Sequence, residues 1–256
     1  MNEFKEKLSN YYNKFNEDKR LDHRHGQVEF LTSIKYIKEY LKPGDKIIDI
    51  GAGSGKYSIR LLEEGYDVTA VEYLKTNIGK IKRNCNKLKV IEANATDLHM
   101  FEDDAFDLCI MFGPMYHLYA KEDKLKALEE AKRITKRIIF VTYILNEYAV
   151  IEYAFKDNHY QEIKEKLDES FRIDDPDNLF FQMRLDEIDE LNERCDLKLL
   201  KRFASDGPSD YMRSYLNKMD EETFEAFIRF HQATCEKKEL LGASSHIVDI
   251  LTKTEA

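Results

Sequence analysis

Residues 46–55 read KIIDIGAGSG, an apolar run that ends in three alternating glycines. A short apolar run closed by glycines is typical of a buried strand that ends in a tight turn. From Ser58 to Leu62 the spacing of apolar residues is helical, so the turn leads from a strand into a helix. Glycines let a ligand approach the backbone closely, and the first N–H groups of a helix are free to bind it. The stretch therefore predicts a ligand-binding strand–turn–helix unit.

Strands and helices continue to alternate after this unit. Near-continuous apolar strands separated by helices indicate a parallel sheet that is covered on both faces. The fold class is therefore predicted to be α/β. Further strands are expected over residues 67–71, 89–93, 106–112 and 137–143, with helices over 74–86 and 121–135.

All residues, 1–256, are predicted to form a single domain around this sheet, without internal repeats. Tyr and Phe are frequent in two late helical insertions, which we expect to cover a substrate pocket. The predicted parts are an N-terminal helical arm (1–41), a ligand-binding core (42–145), the insertions (146–192 and 206–240) and the last two strands (197–203 and 244–252).

An acidic residue, Glu72, follows the second predicted strand about 20 residues after Gly51. A carboxylate at this distance accepts hydrogen bonds from ribose hydroxyls in nucleotide-binding folds. The dinucleotide fingerprint requires Gly or Ala at the sixth position, which is Lys56 here. The pattern therefore indicates a nucleoside cofactor and disfavours a dehydrogenase.

These segments resemble the class I, Rossmann-like S-adenosylmethionine-dependent methyltransferases. The first motif of that family is an acidic residue, an apolar residue and G-x-G-x-G, carried here by residues 49–55. The segment ANATDL (93–98) is similar to the family's Gly-Asp-Ala-x-x-Leu segment, and Phe106-Asp107 to its fourth-strand motif. Two longer strings, Tyr12–Arg20 and GPMYHL (113–118), resemble a bacterial subset of these enzymes.

The resemblance implies a seven-stranded, mostly parallel, doubly wound sheet in the order 3-2-1-4-5-7-6, with the seventh strand antiparallel. It implies S-adenosylmethionine as the cofactor and S-adenosylhomocysteine as the product. Asn94 replaces the Asp that usually accepts from the adenine amino group, and Asp97 is a rival for this role. The cofactor-binding residues implied are Asp49, Gly51, Ala52, Gly53, Gly55, Glu72, Tyr73, Asn94, Ala95 and Phe112.

His117 and Tyr116 are the candidate catalytic residues, because they follow the fourth strand at the edge of the sheet where ligands bind. An unperturbed imidazole has a pKa near neutrality, so His117 is a candidate general base for the acceptor. The alternative is a structural histidine that bonds a loop carbonyl. Tyr116 is expected against the sulfonium, in the wall of the substrate pocket, or in the core.

The charged break between the two N-terminal helices allows two interpretations. Either the arm folds over the cofactor and places Tyr11, Arg20 or His23 near its methionine end, or the break is a solvated turn. The spacing of His23 and His25 does not make a metal site, because no third ligand is assignable. We therefore expect no metal.

Composition restricts the possible partners. The net charge of −9 argues against a broad nucleic-acid-binding face. The four cysteines are far apart and predict free thiols in a reducing compartment. Without a signal peptide or an apolar span, the expected location is the cytoplasm, without a membrane partner.

We therefore expect methyl transfer to a small-molecule substrate, and a homodimer is compatible with the sequence. The first alternative is a nucleic-acid (RNA) methyltransferase. Enzymes that methylate amino groups of bases often carry Asn or Asp before a Pro-Pro-aromatic segment, and residues 113–116, GPMY, lack that polar group. The second alternative is a protein that binds S-adenosylmethionine without turnover.

Overall fold

The computed structural model describes residues 3–14, 21–242 and 244–254, and its centre is one sheet of eight strands. Each of the strands expected from the sequence is present, with ends shifted by up to a few residues. The strands are β1 (Lys46–Ile50), β2 (Asp67–Glu72), β3 (Lys89–Glu92), β4 (Phe106–Met111), β5 (Thr135–Leu145), β6 (Gln182–Met183), β7 (Leu197–Ala204) and β8 (His246–Lys253).

The main path through the sheet runs β3-β2-β1-β4-β5-β8-β7. The pairs from β3 to β5 are parallel, and β8 lies antiparallel to both β5 and β7. The α/β class is confirmed, and so is the expected strand order once the two-residue β6 is set aside. β6 was not predicted because two residues are too few to show a periodic pattern.

Helices cover both faces of the sheet. Two of them, α1 and α2, form the N-terminal arm, and the two insertions contain both short helical turns and the longer helices α8 and α10. The α-helices are α1 (Glu3–Lys14), α2 (Arg24–Tyr40), α3 (Lys56–Glu63), α4 (Lys75–Asn84), α5 (Lys121–Ile134), α6 (Asn146–Ala149), α7 (Tyr160–Ile163), α8 (Leu185–Arg194), α9 (Arg213–Leu216), α10 (Glu221–Thr234) and α11 (Lys238–Leu241).

The core lies between the sheet and these helices. In β1, Ile47, Ile48 and Ile50 are fully buried, because a central parallel strand has a helix layer on each face. Ile37 of α2 and Leu61 of α3 are fully buried against the same core. Burying each such side chain contributes about 1.5–3 kcal/mol, so the strand positions are strongly determined.

The first insertion is less helical than expected. Residues 146–192 contain α6, a π-helix over Val150–Lys156, α7 and most of α8, but residues 167–181 have no helix. The buried side chain of Asn146 accepts from the backbone N–H of Ile173 at 2.9 Å and donates to the carbonyl of Phe171 at 2.9 Å. These contacts fold residues 167–181 back as a loop. The helical spacing of the aromatic residues predicted a helix there, because it carries no information about these contacts.

In the described ranges, no helix combines the length and the apolar character needed to span a membrane.

Candidate functional site

A cavity of about 440 Å³ opens at the carboxyl ends of β1, β2 and β4. This is the edge at which parallel sheets bind ligands, because the connecting loops part there. Ten of the expected site residues contribute to its wall: Gly51, Ala52, Gly53, Glu72, Tyr73, Asn94, Ala95, Phe112, Tyr116 and His117.

The glycine loop leads from β1 to α3 with a backbone that only glycine adopts easily. Gly51 has φ +75°, and a Cβ there would lie 2.6 Å from Pro114 Cδ. A larger residue would therefore push away Pro114 and the loop that follows β4, here called the β4 loop. Gly53 has φ +58°, and a Cβ there would meet no atom within 4 Å. Gly53 therefore presents bare backbone to the cavity, where a ligand can contact it.

Glu72 fixes the glycine loop against the end of β2. Its two carboxylate oxygens accept from the backbone N–H groups of Gly53 and Leu74, each at 2.8 Å. Burial raises the pKa of Glu72, and these backbone hydrogen bonds oppose the rise. The side chain of Asn77 and the backbone of Tyr73 also hydrogen-bond to Glu72, so a hydroxyl group in the cavity would share or replace one of these donors.

Asp49 and Gly55, which were expected to contact the cofactor, are not in the cavity wall. Asp49 is buried under the loop, and its Oδ2 accepts from Ser58 Oγ at 2.6 Å. Burial raises the pKa of Asp49 to about 7. Gly55 caps α3 with φ +86°, and a Cβ there would lie 3.1 Å from Ile81 Cγ1. In this structure both residues shape the loop from below.

Asn94 and Asp97 both follow β3 and are the two candidates for the contact with adenine, but only Asn94 contributes to the cavity wall. Its Oδ1 accepts from the backbone N–H of Thr96 at 3.2 Å, which closes a turn. Asp97 is exposed and bonds His99 Nδ1 at 2.6 Å. The placement therefore favours Asn94 over Asp97 as the residue beside a bound base.

Both ring nitrogens of His117 have partners. Nδ1 lies 2.8 Å from the carbonyl oxygen of Leu179, and Nε2 lies 2.8 Å from the hydroxyl of Tyr12. A carbonyl only accepts, so Nδ1 carries the proton, and the neutral ring accepts at Nε2 from Tyr12. Burial lowers the pKa of His117 to about 4. This pKa is lower than the ordinary imidazole value on which the expectation of a general base was based, and the general-base and structural roles of His117 both stay predictions.

Tyr116 lies between the glycine loop and the first insertion. Its backbone carbonyl accepts from the N–H of Phe181 at 2.7 Å, which anchors the segment before β6. Its ring centroid is 4.8 Å from that of His117 and 6.1 Å from that of His246. Tyr116 is thus part of the cavity wall, one of the positions expected for it.

The cover over the cavity is α1. Phe4, Leu8 and Tyr12 of this helix line the cavity, whereas no described residue of 146–192 or 206–240 does, which differs from the cover expected of those insertions. Lys80 of α4 donates to the carbonyl of Tyr12 at 3.0 Å. Lys5 lies 3.9 Å above the ring of Tyr73. The arm therefore folds over the cavity, in keeping with one of its two interpretations.

Tyr11 and His23 were expected near the methionine end of the cofactor, but the structure places them outside the cavity wall. Tyr11 packs edge-on against Phe180, with ring centroids 5.1 Å apart, and does not line the cavity. His23 stacks on His25 with centroids 5.8 Å apart, also outside the wall. Arg20 lies outside the described residues.

A polar group that was not expected from the sequence lies at the inner end of the cavity. Glu29 of α2 and Thr142 of β5 line that end, and both are buried. Glu29 Oε2 lies 3.9 Å from His246 Nδ1, which is 2.7 Å from Asp206 Oδ2. The potential ligand atoms of these three residues lie within 4.8 Å of one another. No local motif links α2, the end of β7 and the start of β8, so only the fold brings these residues together.

Residues 47–137 match the family model described as Methyltransferase domain. Glycine/sarcosine N-methyltransferase of Parasynechococcus marenigrum is 31% identical over 108 residues, which cover 40% of this chain and 38% of that protein. The chain therefore aligns with well under half of the length of this curated relative.

Solved structures share the fold. A SAM-dependent methyltransferase from Methanosarcina mazei superposes with a TM-score of 0.58 at 18% identity, covering 86% of this chain and 98% of that chain. Magnesium protoporphyrin IX methyltransferase from Synechocystis, solved with bound SAH, superposes with a TM-score of 0.55 at 11% identity, covering 90% and 83%. The fold is that of the Rossmann-like methyltransferases, and the matches together support S-adenosylmethionine as the cofactor.

Proposed function

We propose that the protein transfers a methyl group from S-adenosylmethionine to a small-molecule acceptor inside the cavity under α1. The observation that carries the proposal is one continuous cavity with two different ends. Gly53 and Glu72 lie at one end, whereas Tyr116, Glu29 and Thr142 lie at the other. In the sheet, β2 and β5 are three strand spacings apart, so the distance between them is roughly 14 Å. That distance accommodates a nucleoside cofactor and an acceptor side by side.

The residues present fit such a cofactor. Gly53 leaves open space where any Cβ would project, and Glu72 offers buried acceptor oxygens beside the loop. In the proposed complex, Glu72 accepts from the ribose hydroxyls, and Asn94, Ala95 and Phe112 enclose the adenine. S-adenosylmethionine supplies a methyl carbon that is already activated by positively charged sulfur.

The chain contributes alignment and exclusion of water. Phe4, Leu8 and Tyr12 close the cavity from above, and Tyr116 forms its wall beside the β4 loop. Orienting two reactants and removing bulk water lowers the barrier of a displacement reaction without a covalent enzyme intermediate. His117 holds Tyr12 in place through its Nε2, so we assign it a positioning role in this structure.

A nucleic-acid acceptor is the alternative. The net charge of −9 and the cover by α1 weigh against it, because a flipped base must reach the methyl group from a basic surface. The relative and the neighbour named above act, by their names, on glycine/sarcosine and on magnesium protoporphyrin IX, so they do not fix one acceptor. The homodimer and the cytoplasmic location stay predictions.

Turnover of a metabolite mixture tests the proposal. The protein is incubated with S-adenosylmethionine and small molecules, and S-adenosylhomocysteine and methylated products are measured by mass spectrometry. Glu72→Ala should lower kcat/KM for S-adenosylmethionine by roughly 10- to 100-fold, because a hydrogen bond to a charged group contributes about 1.5–3 kcal/mol. Asp67→Ala, at the exposed opposite end of β2, is the control and should leave it unchanged. Tight cofactor binding without transfer to any small molecule would contradict the proposal and favour a binding protein.

A further inference from the structure

The inner end of the cavity has a buried acidic character. Glu29 lines it with 8% of its surface exposed, and Asp206, with 3% exposed, lies behind it next to His246. Asp206 is held firmly, since its Oδ1 accepts from Ser244 Oγ at 2.6 Å and from the backbone N–H of His246 at 3.0 Å. Asp206 thus hydrogen-bonds the imidazole of His246, and the carboxylate of Glu29 lies 3.9 Å from the same ring nitrogen.

The described cavity wall offers little positive charge. Its acidic members are Glu29, Glu72 and Asp123, and its one Lys or Arg is Lys56, which pairs with Asp22. A carboxylate or phosphate on the acceptor would face repulsion near Glu29, whereas a cation would be attracted. Glu29 already engages neighbours such as His246, but a carboxylate has about four acceptor sites and can take a further N–H donor.

An aromatic ring lies beside this acidic end. Tyr116 forms part of the same wall, with its ring centroid 6.1 Å from that of His246. Aromatic faces attract cations, and a carboxylate next to an aromatic ring is a combination that recognises ammonium groups. Thr142 adds a hydroxyl that is able to accept or donate a hydrogen bond.

We propose that the acceptor is a small primary or secondary amine that binds as an ammonium ion between Glu29 and Tyr116. This inference rests on the proposed function and names its substrate class. The bound ammonium gives one proton to the Glu29 carboxylate, which leaves a neutral amine and a carboxylic acid. The nitrogen lone pair then forms the N–C bond to the methyl carbon as the C–S bond breaks. The bonding electrons pass to sulfur, the sulfonium becomes a neutral thioether, and the product is a methylated ammonium.

The available bases agree with an amine. A carboxylate is a weak base, and the pKa of His117 is lowered to about 4, so neither group can ionise an alcohol appreciably. An ammonium is a much stronger acid than an alcohol, so a carboxylate beside it can take its proton, and the neutral amine that results is a good nucleophile. The site therefore suits nitrogen better than an unactivated hydroxyl oxygen.

Calorimetry on the complex with S-adenosylhomocysteine tests the inference. Benzylamine and propylamine are compared at pH 7 with benzyl alcohol and propanol, and with benzoate and propionate. We expect at least one amine to bind tenfold or more tightly than its alcohol and carboxylate partners, and to be methylated when S-adenosylmethionine is present. Glu29→Gln should remove this preference while keeping the affinity for S-adenosylhomocysteine within about twofold. Glu39→Gln, an exposed position on the same helix, should keep it.

Each other outcome has a distinct meaning. Equal or tighter binding of every alcohol or carboxylate would overturn the inference, and this comparison uses the wild-type protein, so it does not depend on the folding of a variant. Amine binding that requires Zn²⁺ or Mg²⁺ and is lost with a chelator would also overturn it, in favour of a metal on Glu29, Asp206 and His246. Failure of S-adenosylhomocysteine itself to bind would instead reject the proposed function.

Discussion

Asp49 is a fully enclosed carboxylate under the glycine loop, and its protonation couples stability to pH. Burial raises its pKa to about 7 from the ordinary value of 3.8, although the hydrogen bond from Ser58 opposes the rise. The folded state therefore binds a proton more tightly than the unfolded chain between these two values. The contribution of Asp49 to the stability of the folded state is therefore full below about pH 4 and is lost as the pH rises to about 7.

Asp49→Asn should remove this dependence, because an amide keeps an acceptor for Ser58 without a charge. The free energy of unfolding of the variant, minus that of the wild type, should grow as the pH rises from 4 to 7 and then level off. The slope is expected to be at most about 1.4 kcal/mol per pH unit for a single proton. Urea unfolding at four pH values measures it, and a constant difference would show that Asp49 titrates normally.

The positions of individual residues in the candidate site were predictable from the sequence where a motif determines a contact with the backbone. The spacing from Gly51 to Glu72 predicts that a carboxylate lies near the loop, and the structure places Glu72 in hydrogen-bond contact with Gly53. The lowered pKa of His117 was not predictable, because it arises from burial by Tyr12 and Phe180, which are distant in sequence. Glu29 was missed for the same reason.

Among the elements, α1 is held over the cavity in part by polar contacts of Tyr12. Its Tyr12 donates to His117 at 2.8 Å, and Lys80 of α4 bonds the Tyr12 carbonyl. The remaining charged contacts described for α1, Lys5 with Glu92 and Lys7 with Asp177, lie at the surface and contribute little. Because α1 lines the cavity with Phe4, Leu8 and Tyr12, we expect the contacts that hold this helix to slow the release of a ligand beneath it.

Tyr12→Phe should accelerate the release of S-adenosylhomocysteine by roughly 2- to 10-fold, the equivalent of one hydrogen bond of about 0.5–1.5 kcal/mol. Stopped-flow displacement of the bound product measures the rate. Tyr215→Phe is the matched control, since Tyr215 is 70% exposed in α9. Release at the wild-type rate from Tyr12→Phe would mean that α1 does not restrain the ligand through this bond.

Elements with a strong periodic pattern were predicted well, and short or folded-back ones were not. β1 and α5 match the expected ranges closely, because buried apolar residues recur at the spacing of a strand and of a helix. β6 pairs with only Ile144 and Leu145 of β5. Its position depends on the hydrogen bond from the N–H of Phe181, just before β6, to the carbonyl of Tyr116, which follows β4. Such tertiary contacts leave no local signal in the sequence.

For the whole molecule, the proposed function requires that the cavity at the sheet edge holds the cofactor against bare loop backbone. Gly53 and Gly44 allow a matched test of this requirement. Both have positive φ, +58° and +84°, and a Cβ at either would meet no atom within 4 Å. Alanine at either position therefore carries a similar backbone strain of about 1–2 kcal/mol, but only Gly53 lines the cavity.

The most direct measurement is a calorimetric titration of S-adenosylhomocysteine into wild-type protein, Gly53→Ala and Gly44→Ala, with thermal unfolding of all three. We expect micromolar or tighter binding to the wild type, a similar loss of Tm in both variants, and an affinity at least tenfold weaker for Gly53→Ala alone. Wild-type affinity in a folded Gly53→Ala variant, or no binding by the wild type, would contradict the placement of the cofactor against the loop backbone.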